Sequence, residues 1–234
     1  MKRLSLCLLI VASIALSSCK TAKYPISSVD VSQIRELALL EPLAYISFIE
    51  QGNRMDLNDS LSYESTILIS DLIRNVAGMP FVESVIPDDE VTRRMLSREV
   101  EMYFTALENT KPKKWHELRV PPTITTVLRA NGYRFGLAVI SEGFTRSKGN
   151  YGGQIVQSIA IGVITGILSR GTASVYSTPV KSHSDIACII IDAQTESAIF
   201  YNRHSRENIE PLRESDISKQ LDIIFRDYLM RPNY

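Results

Sequence analysis

The 234-residue chain carries 26 basic and 26 acidic side chains and is 44% hydrophobic. That balance argues against a dedicated nucleic-acid binder, whose domain would be basic, so no nucleic-acid partner is expected. The length suits one domain with a full core or two small ones, and one is expected.

Lys2 and Arg3 precede an apolar run over residues 4–16, the pattern of a signal peptide. A helix needs roughly 20 apolar residues to cross the hydrocarbon core, so this run is too short to be a retained span. Leu16, Ser17, Ser18 and Cys19 follow in order. The tetrad resembles the lipobox of bacterial lipoproteins, which implies cleavage between Ser18 and Cys19 and lipidation of the Cys19 thiol. The freed amine is then acylated in that family, typically with palmitate, so the membrane becomes a partner through Cys19. Several acyl chains make such an attachment stable, since each buried methylene contributes about 0.8 kcal/mol.

The expected organisation is a signal peptide at 1–18, a tether at 19–32 and a single α/β domain at 33–234. The tether is polar, contains Pro25 and shows no apolar period. Lys20 follows the cysteine, where sorting signals for the inner membrane or cell surface would put an acidic residue or cluster. By resemblance to those rules, the anchor belongs to the outer membrane with the domain facing the periplasm. Loss of Lys2 and Arg3 leaves 24 basic against 26 acidic residues, a formal charge of −2. Cys7 leaves with the signal and Cys19 is lipidated, so Cys188 alone remains and no internal disulfide can form. Its neighbours Ile186, Ala187, Ile189, Ile190 and Ile191 predict a buried, structural thiol.

Along the domain, the first strand is expected over 42–50, ending at the turn-like Gln51-Gly52-Asn53. Ser60 or Ser62 is a candidate cap for a helix with Ile67, Leu68, Leu72, Ile73 and Val76 inward, stopped by Gly78-Met79-Pro80. A strand over 81–85 completes a βαβ unit. Pro87-Asp88-Asp89-Glu90 opens the next helix, where free N–H groups favour carboxylates. That helix should reach Asn109 with Val91, Met95, Val100, Tyr103, Phe104 and Leu107 buried. A lysine-bearing loop with Trp115 and His116 leads to a short helix from Pro121-Pro122 through Ala130, ended by Asn131-Gly132.

A strand over 133–141 precedes a basic, glycine-rich loop from Gly143 to Gly153, and the apolar run 155–168 is expected as a helix of the core. Its Gly162 and Gly166 also fit an oligomer contact or a membrane-inserting element. Strands are expected over 172–180, 185–193 and 197–204, the last two joined by a hairpin near Gln194-Thr195. Both alternating faces are apolar over 186–191, the mark of a strand covered on each side. A final helix from about Ser215 turns Ile217, Leu221, Ile224, Tyr228 and Leu229 onto the sheet.

No nucleophile elbow occurs, and the glycine-rich loop fails P-loop spacing because Lys148 precedes Gly149. Arg146 and Lys148 are a candidate anion-binding pair. His116, His183 and His204 lack zinc-site spacing, so no metal, no cofactor and no catalytic residue is assigned. Carboxylate pairs such as Asp88 with Asp89 cannot identify a hydrolase, since their separation is set by the fold. Asp59-Ser60-Leu61 resembles the O-glycosylation sequon of Bacteroidetes exported proteins, although Ser60 serves equally as a cap.

The lipobox, the βαβ start, Tyr133-Arg134-Phe135-Gly136-Leu137-Ala138-Val139-Ile140, the apolar connector and the hairpin ending in Ile199-Phe200-Tyr201 resemble Bacteroidetes-type envelope lipoproteins. More distantly they resemble the α/β domains of the curli-secretion-channel lipoprotein and of TolB N-terminal-like proteins. In those relatives the last hairpin turns on a glycine, where Thr195-Glu196 stands here, so pore formation is not implied. The resemblance implies a mixed sheet covered by helices, with a C-terminal β-hairpin and packing helix. It also implies a non-enzymatic interaction or assembly module, with a homo-oligomer or another envelope protein as partner. A membrane-tethered hydrolase and a subunit of an oligomeric secretion channel are the alternatives.

Overall fold

Glu41 and Pro42 divide what would be one long strand into β2 (Glu36–Leu40) and β3 (Leu43–Ile49), because proline offers no N–H to a ladder. Both halves run parallel to one partner, β6 (Phe135–Arg146), with Ala38 opposite Gly136 and Ile49 opposite Arg146. The computed structural model describes residues 24–26, 29–50, 55–76, 78–147, 159–161, 174–176 and 180–229. The other strands are β1 (Tyr24–Pro25), β4 (Met55–Leu57), β5 (Phe81–Val85), β7 (Ile159–Ile161), β8 (Ser174–Tyr176), β9 (His183–Asp192) and β10 (Ser197–Glu207). The helices are α1 (Asp59–Asn75), α2 (Glu90–Asn109), α3 (Pro122–Ala130) and α4 (Glu214–Phe225), with a 3-10 turn over Pro112–Glu117.

The main sheet runs β1-β10-β9-β6-β2-β5, with β3 beside the far half of β6 and β4 on its edge. β5, β2, β3 and β6 are mutually parallel where they pair, and β9, β10, β1 and β4 are added antiparallel. The βαβ unit is present, its return strand β5 pairing with β2. Central strand β9 divides its side chains as its double-sided pattern predicts. Ala187, Ile189 and Ile191 join the core under α2 and α3, while Ile186, Cys188 and Ile190 join the core under α1 and α4. The fold is therefore α/β, a mixed sheet with helices on both faces, closed by the β9-β10 hairpin and α4.

Local chemistry explains the element ends. Asn58, not Ser60 or Ser62, caps α1 by accepting from the Leu61 N–H at 3.0 Å. Ser62 instead accepts from the Ile46 N–H and donates to the Asn58 carbonyl, tying helix to β3. Asp89 caps α2 through the Thr92 N–H at 2.7 Å, and Glu90 pairs with Arg94 at 2.8 Å. Asp89 and Glu90 thus serve the helix start, as expected. Glu196 occupies the left-handed region at φ 54° in the last hairpin, the conformation that glycine would adopt without cost.

Several expectations shift. β2 was not anticipated, because Leu37, Ala38, Leu39 and Leu40 carry helix propensity, whereas burial on both faces selects a strand here. Tyr24–Pro25, inside the expected tether, pairs with β10, Tyr24 opposite Tyr201. β6 continues to Arg146, so residues 143–146 belong to the sheet and not to the glycine-rich loop. The helix expected over 155–168 is corrected at Ile159–Ile161, which form β7 and pair antiparallel with β8. β-branched isoleucines suit that conformation. The rest of that run lies outside the described residues, and β8 is the only described part of the strand expected over 172–180 that forms a ladder.

Gly143 marks the tightest backbone approach. A Cβ there would lie 2.4 Å from the His183 carbonyl oxygen and 3.2 Å from Pro211. Gly143→Ala is therefore expected to cost about 1–3 kcal/mol. Urea unfolding measures this, and a change within experimental error would contradict the close packing.

Candidate interaction surface

Charged and phenolic side chains gather in one strip beneath α2. Tyr45, Glu142, Asp185 and Ser205 stand opposite one another across β3, β6, β9 and β10, hence on one face. Arg203 is the cation of the strip. Its Nε donates to Asp185 at 2.9 Å and its Nη2 at 2.5 Å, while Nη1 lies 3.4 Å from Glu108 of α2. The Tyr201 hydroxyl donates to the other oxygen of Glu108, and Tyr45 donates to Glu101.

Electrostatics follow from this burial. Burial and then the Glu108 carboxylate push the Tyr201 hydroxyl well above its ordinary value, and burial and Glu101 raise Tyr45. Burial disfavours the Arg203 charge, but Asp185 and Glu108 outweigh it and hold the guanidinium protonated. Tyr103, whose hydroxyl accepts from the Ala198 N–H at 3.1 Å, is pushed up to about 12 by burial. At the far end of β9, burial opposes the charge of Asp192. Arg134 at 2.9 Å and the Gln194 N–H nevertheless hold its carboxyl below the usual range. These groups bind one another, joining helix to sheet. Among the described residues no three His, Cys, Asp or Glu side chains form a metal site.

Two histidines add a pH dependence. Burial lowers the His183 imidazole below its ordinary value, opposed by Asp185 and aided by Arg203. Burial and then Arg206 lower His204 in the same direction. The folded chain therefore binds protons less readily than the unfolded chain, and stability falls as pH drops below about 6.5. Urea midpoints at about pH 7.5 and about pH 5.5 should differ in that direction, and His183→Gln should flatten the difference. Equal flattening by substitution of exposed His116 would remove the assignment.

The surface offers a different feature. Val91, Met95 and Met102 on α2 are 69%, 50% and 58% exposed. At 100° per residue they fall within about 40° of one another, on the side of the helix away from buried Leu96, Val100, Phe104 and Leu107. Arg94 and Arg98 flank this ridge. Phe81, which opens edge strand β5, and Ile86, the residue after it, are also exposed, as are Tyr63 and Ile67 on α1. All the exposed large apolar side chains among the described residues lie between Leu57 and Met102 in the sequence, on or next to β4, α1, β5 and α2. β10, at the other side of the sheet, contributes none.

The candidate residues do not converge on this surface. Arg146 ends β6, donates from Nε to the Val180 carbonyl at 2.9 Å and lies over the Phe144 ring. Lys148, Ser18 and Cys19 lie outside the described residues. His116 is in the 3-10 turn, and His183 and His204 are on β9 and β10. Sequence reasoning missed the ridge because it assigned Val91 and Met95 to the buried face. The available signal was an excess, since α2 carries more large apolar residues than one face can bury.

No protein-family model matches the chain, and no curated protein matches it. Among solved structures, the PelC dodecamer from Paraburkholderia phytofirmans is similar at 7% identity, covering 91% of this chain and 99% of that chain with a TM-score of 0.42. The LpoB C-terminal domain from Salmonella enterica is similar at 12% identity, covering 76% and 93%, with a TM-score of 0.30. Lipoprotein GNA1162 from Neisseria meningitidis is similar at 9% identity, covering 74% and 81%, with a TM-score of 0.31. Among the described residues no helix is long and apolar enough to cross a membrane.

Proposed function

We propose that this chain is a lipid-anchored envelope lipoprotein, held at the outer membrane and facing the periplasm, whose domain is a non-enzymatic interaction or assembly module in envelope maintenance or transport. The observation that carries this reading is the exposed ridge of Val91, Met95 and Met102. Contiguous exposed apolar side chains with interspersed arginine have the composition of a protein-binding surface. The hydrolase alternative has less support, because Glu108 and Asp185 are engaged by Tyr201 and Arg203 within the strip.

A photocrosslinking residue at Met95 tests the module in native envelopes. A discrete adduct, with a second copy of this chain or with another protein, is expected there and not from exposed Lys219 on α4. Equal labelling from both positions would sink the reading. For the anchor, Cys19→Ser should abolish lipid labelling and leave uncleaved precursor, and persistent labelling would refute the assignment.

The strand pair β7-β8 favours a second reading, a subunit of an oligomeric secretion channel. Apolar Ile159–Ile161 take part in an antiparallel ladder between β6 and β9, and membrane-spanning strands must pair in this way. The native mass of the detergent-extracted protein decides the point, because a monomer would count against a channel.

A further inference from the structure

We propose that the exposed basic turn bearing Lys111, Lys113 and Lys114 rests on the anionic headgroups of the membrane that holds the lipid, and so fixes the orientation of the domain. This rests on the lipidation of Cys19.

Tyr24 is only five residue steps beyond Cys19, a reach of at most about 18 Å at 3.6 Å per residue. Tyr24 pairs with Tyr201 on β10, so the β10 edge of the sheet is held close to the bilayer. The basic turn is fastened to the same place. Trp115 packs edge-on against Tyr201, with ring centroids 4.9 Å apart, and its indole N–H donates to the Leu107 carbonyl at 2.8 Å. Ile26, one residue beyond β1, packs against the core cluster that contains Trp115 and Tyr201. Anchor strand and basic turn therefore share one neighbour.

Charge supplies the occupant. Lys111, Lys113 and Lys114 are exposed, and among the described residues none of their ammonium groups has an ion pair. Arg119 follows, 83% exposed and 3.8 Å from Glu196. Between Cys19 and Tyr24 the sequence adds Lys20 and Lys23, and the first acidic residue after the cysteine is Asp30. An anionic surface within a Debye length attracts each lysine about fivefold, and the tether supplies that proximity. The lipid attaches the chain, whereas the lysines decide which side faces the bilayer.

Trp115 is the only tryptophan of the chain and lies in the turn itself, so its fluorescence reports the contact. The lipidated full-length protein would be reconstituted with headgroup-spin-labelled lipid, either in phosphatidylethanolamine with phosphatidylglycerol or in phosphatidylcholine alone. Flotation reports the anchor, and quenching of Trp115 reports the turn. Co-flotation with both vesicles is expected. Quenching is expected to be strong only with phosphatidylglycerol, to weaken in high salt, and to be mostly lost in the triple variant Lys111→Gln, Lys113→Gln, Lys114→Gln. Unchanged thermal unfolding of that variant would confirm that it is folded. Co-flotation with equal quenching in both vesicle types, or in the triple variant, would overturn the proposal. Failure to float with phosphatidylcholine would instead remove the anchor, and the proposal with it.

Discussion

Replacing Arg203 with leucine is expected to destabilise the domain by about 3–5 kcal/mol, since removing one partner of a buried ion cluster leaves the opposite charges uncompensated. For a chain of this size that lowers the thermal midpoint by roughly 10 °C. Asp185 and Glu108 both point at the guanidinium, from β9 and α2, and both are nearly inaccessible to water. Without the cation, two buried carboxylates would face one another. The combined variant Arg203→Leu, Asp185→Asn, Glu108→Gln should recover part of the loss at neutral pH, as apolar and neutral replacements of whole buried clusters often do. Arg203→Lys should fall between, keeping the charge but not the two-nitrogen grip on Asp185. Urea unfolding at neutral pH measures all four proteins. A deficit under about 1 kcal/mol at neutral pH would contradict the electrostatic role assigned to Arg203.

The legible parts of this fold were those whose pattern had only one physical solution. Ile186 to Ile191 are apolar at every position, which a strand resolves only when helices cover both faces, and they do. The capping of α2 by Asp89 and the arrest of α3 at Asn131-Gly132, where Gly132 takes φ 80°, follow from local chemistry alone. Less legible were features that depend on a distant partner. β2 has the composition of a helix and becomes a strand because β5 and β6 flank it. Tyr24–Pro25 has no apolar period and is ordered by the edge of β10, some 175 residues away. The Arg203 strip draws on α2, β9 and β10, so no spacing along the chain could reveal it. On α2 the period was recognised, but the phase was not. Val91 and Met95 repeat at the same interval as the truly buried Leu96, Val100, Phe104 and Leu107, and hydrophobicity alone does not say which stripe meets the sheet.

That second stripe gives the other large expected effect. Val91→Glu combined with Met95→Glu should leave unfolding within about 0.5 kcal/mol of the parent, because neither side chain supports the core. Association through this face should weaken at least about thirtyfold, since an apolar anchor at the centre of an interface contributes about 2 kcal/mol or more. The opposite pattern, large destabilisation with binding intact, would mean that the stripe serves the fold and not a partner. Geometry favours the partner. Val91 lies in the first turn of a helix that ends at Asn109, about 27 Å further along at 1.5 Å per residue, beside the basic turn. If that turn rests on the headgroups, the first turns of α2 stand away from the bilayer, and β5 lies on the side of the sheet opposite β10. On that orientation a crosslink from Met95 should map to protein in intact envelopes. An adduct with lipid from Met95 would invert the orientation and transfer the membrane contact to the ridge itself.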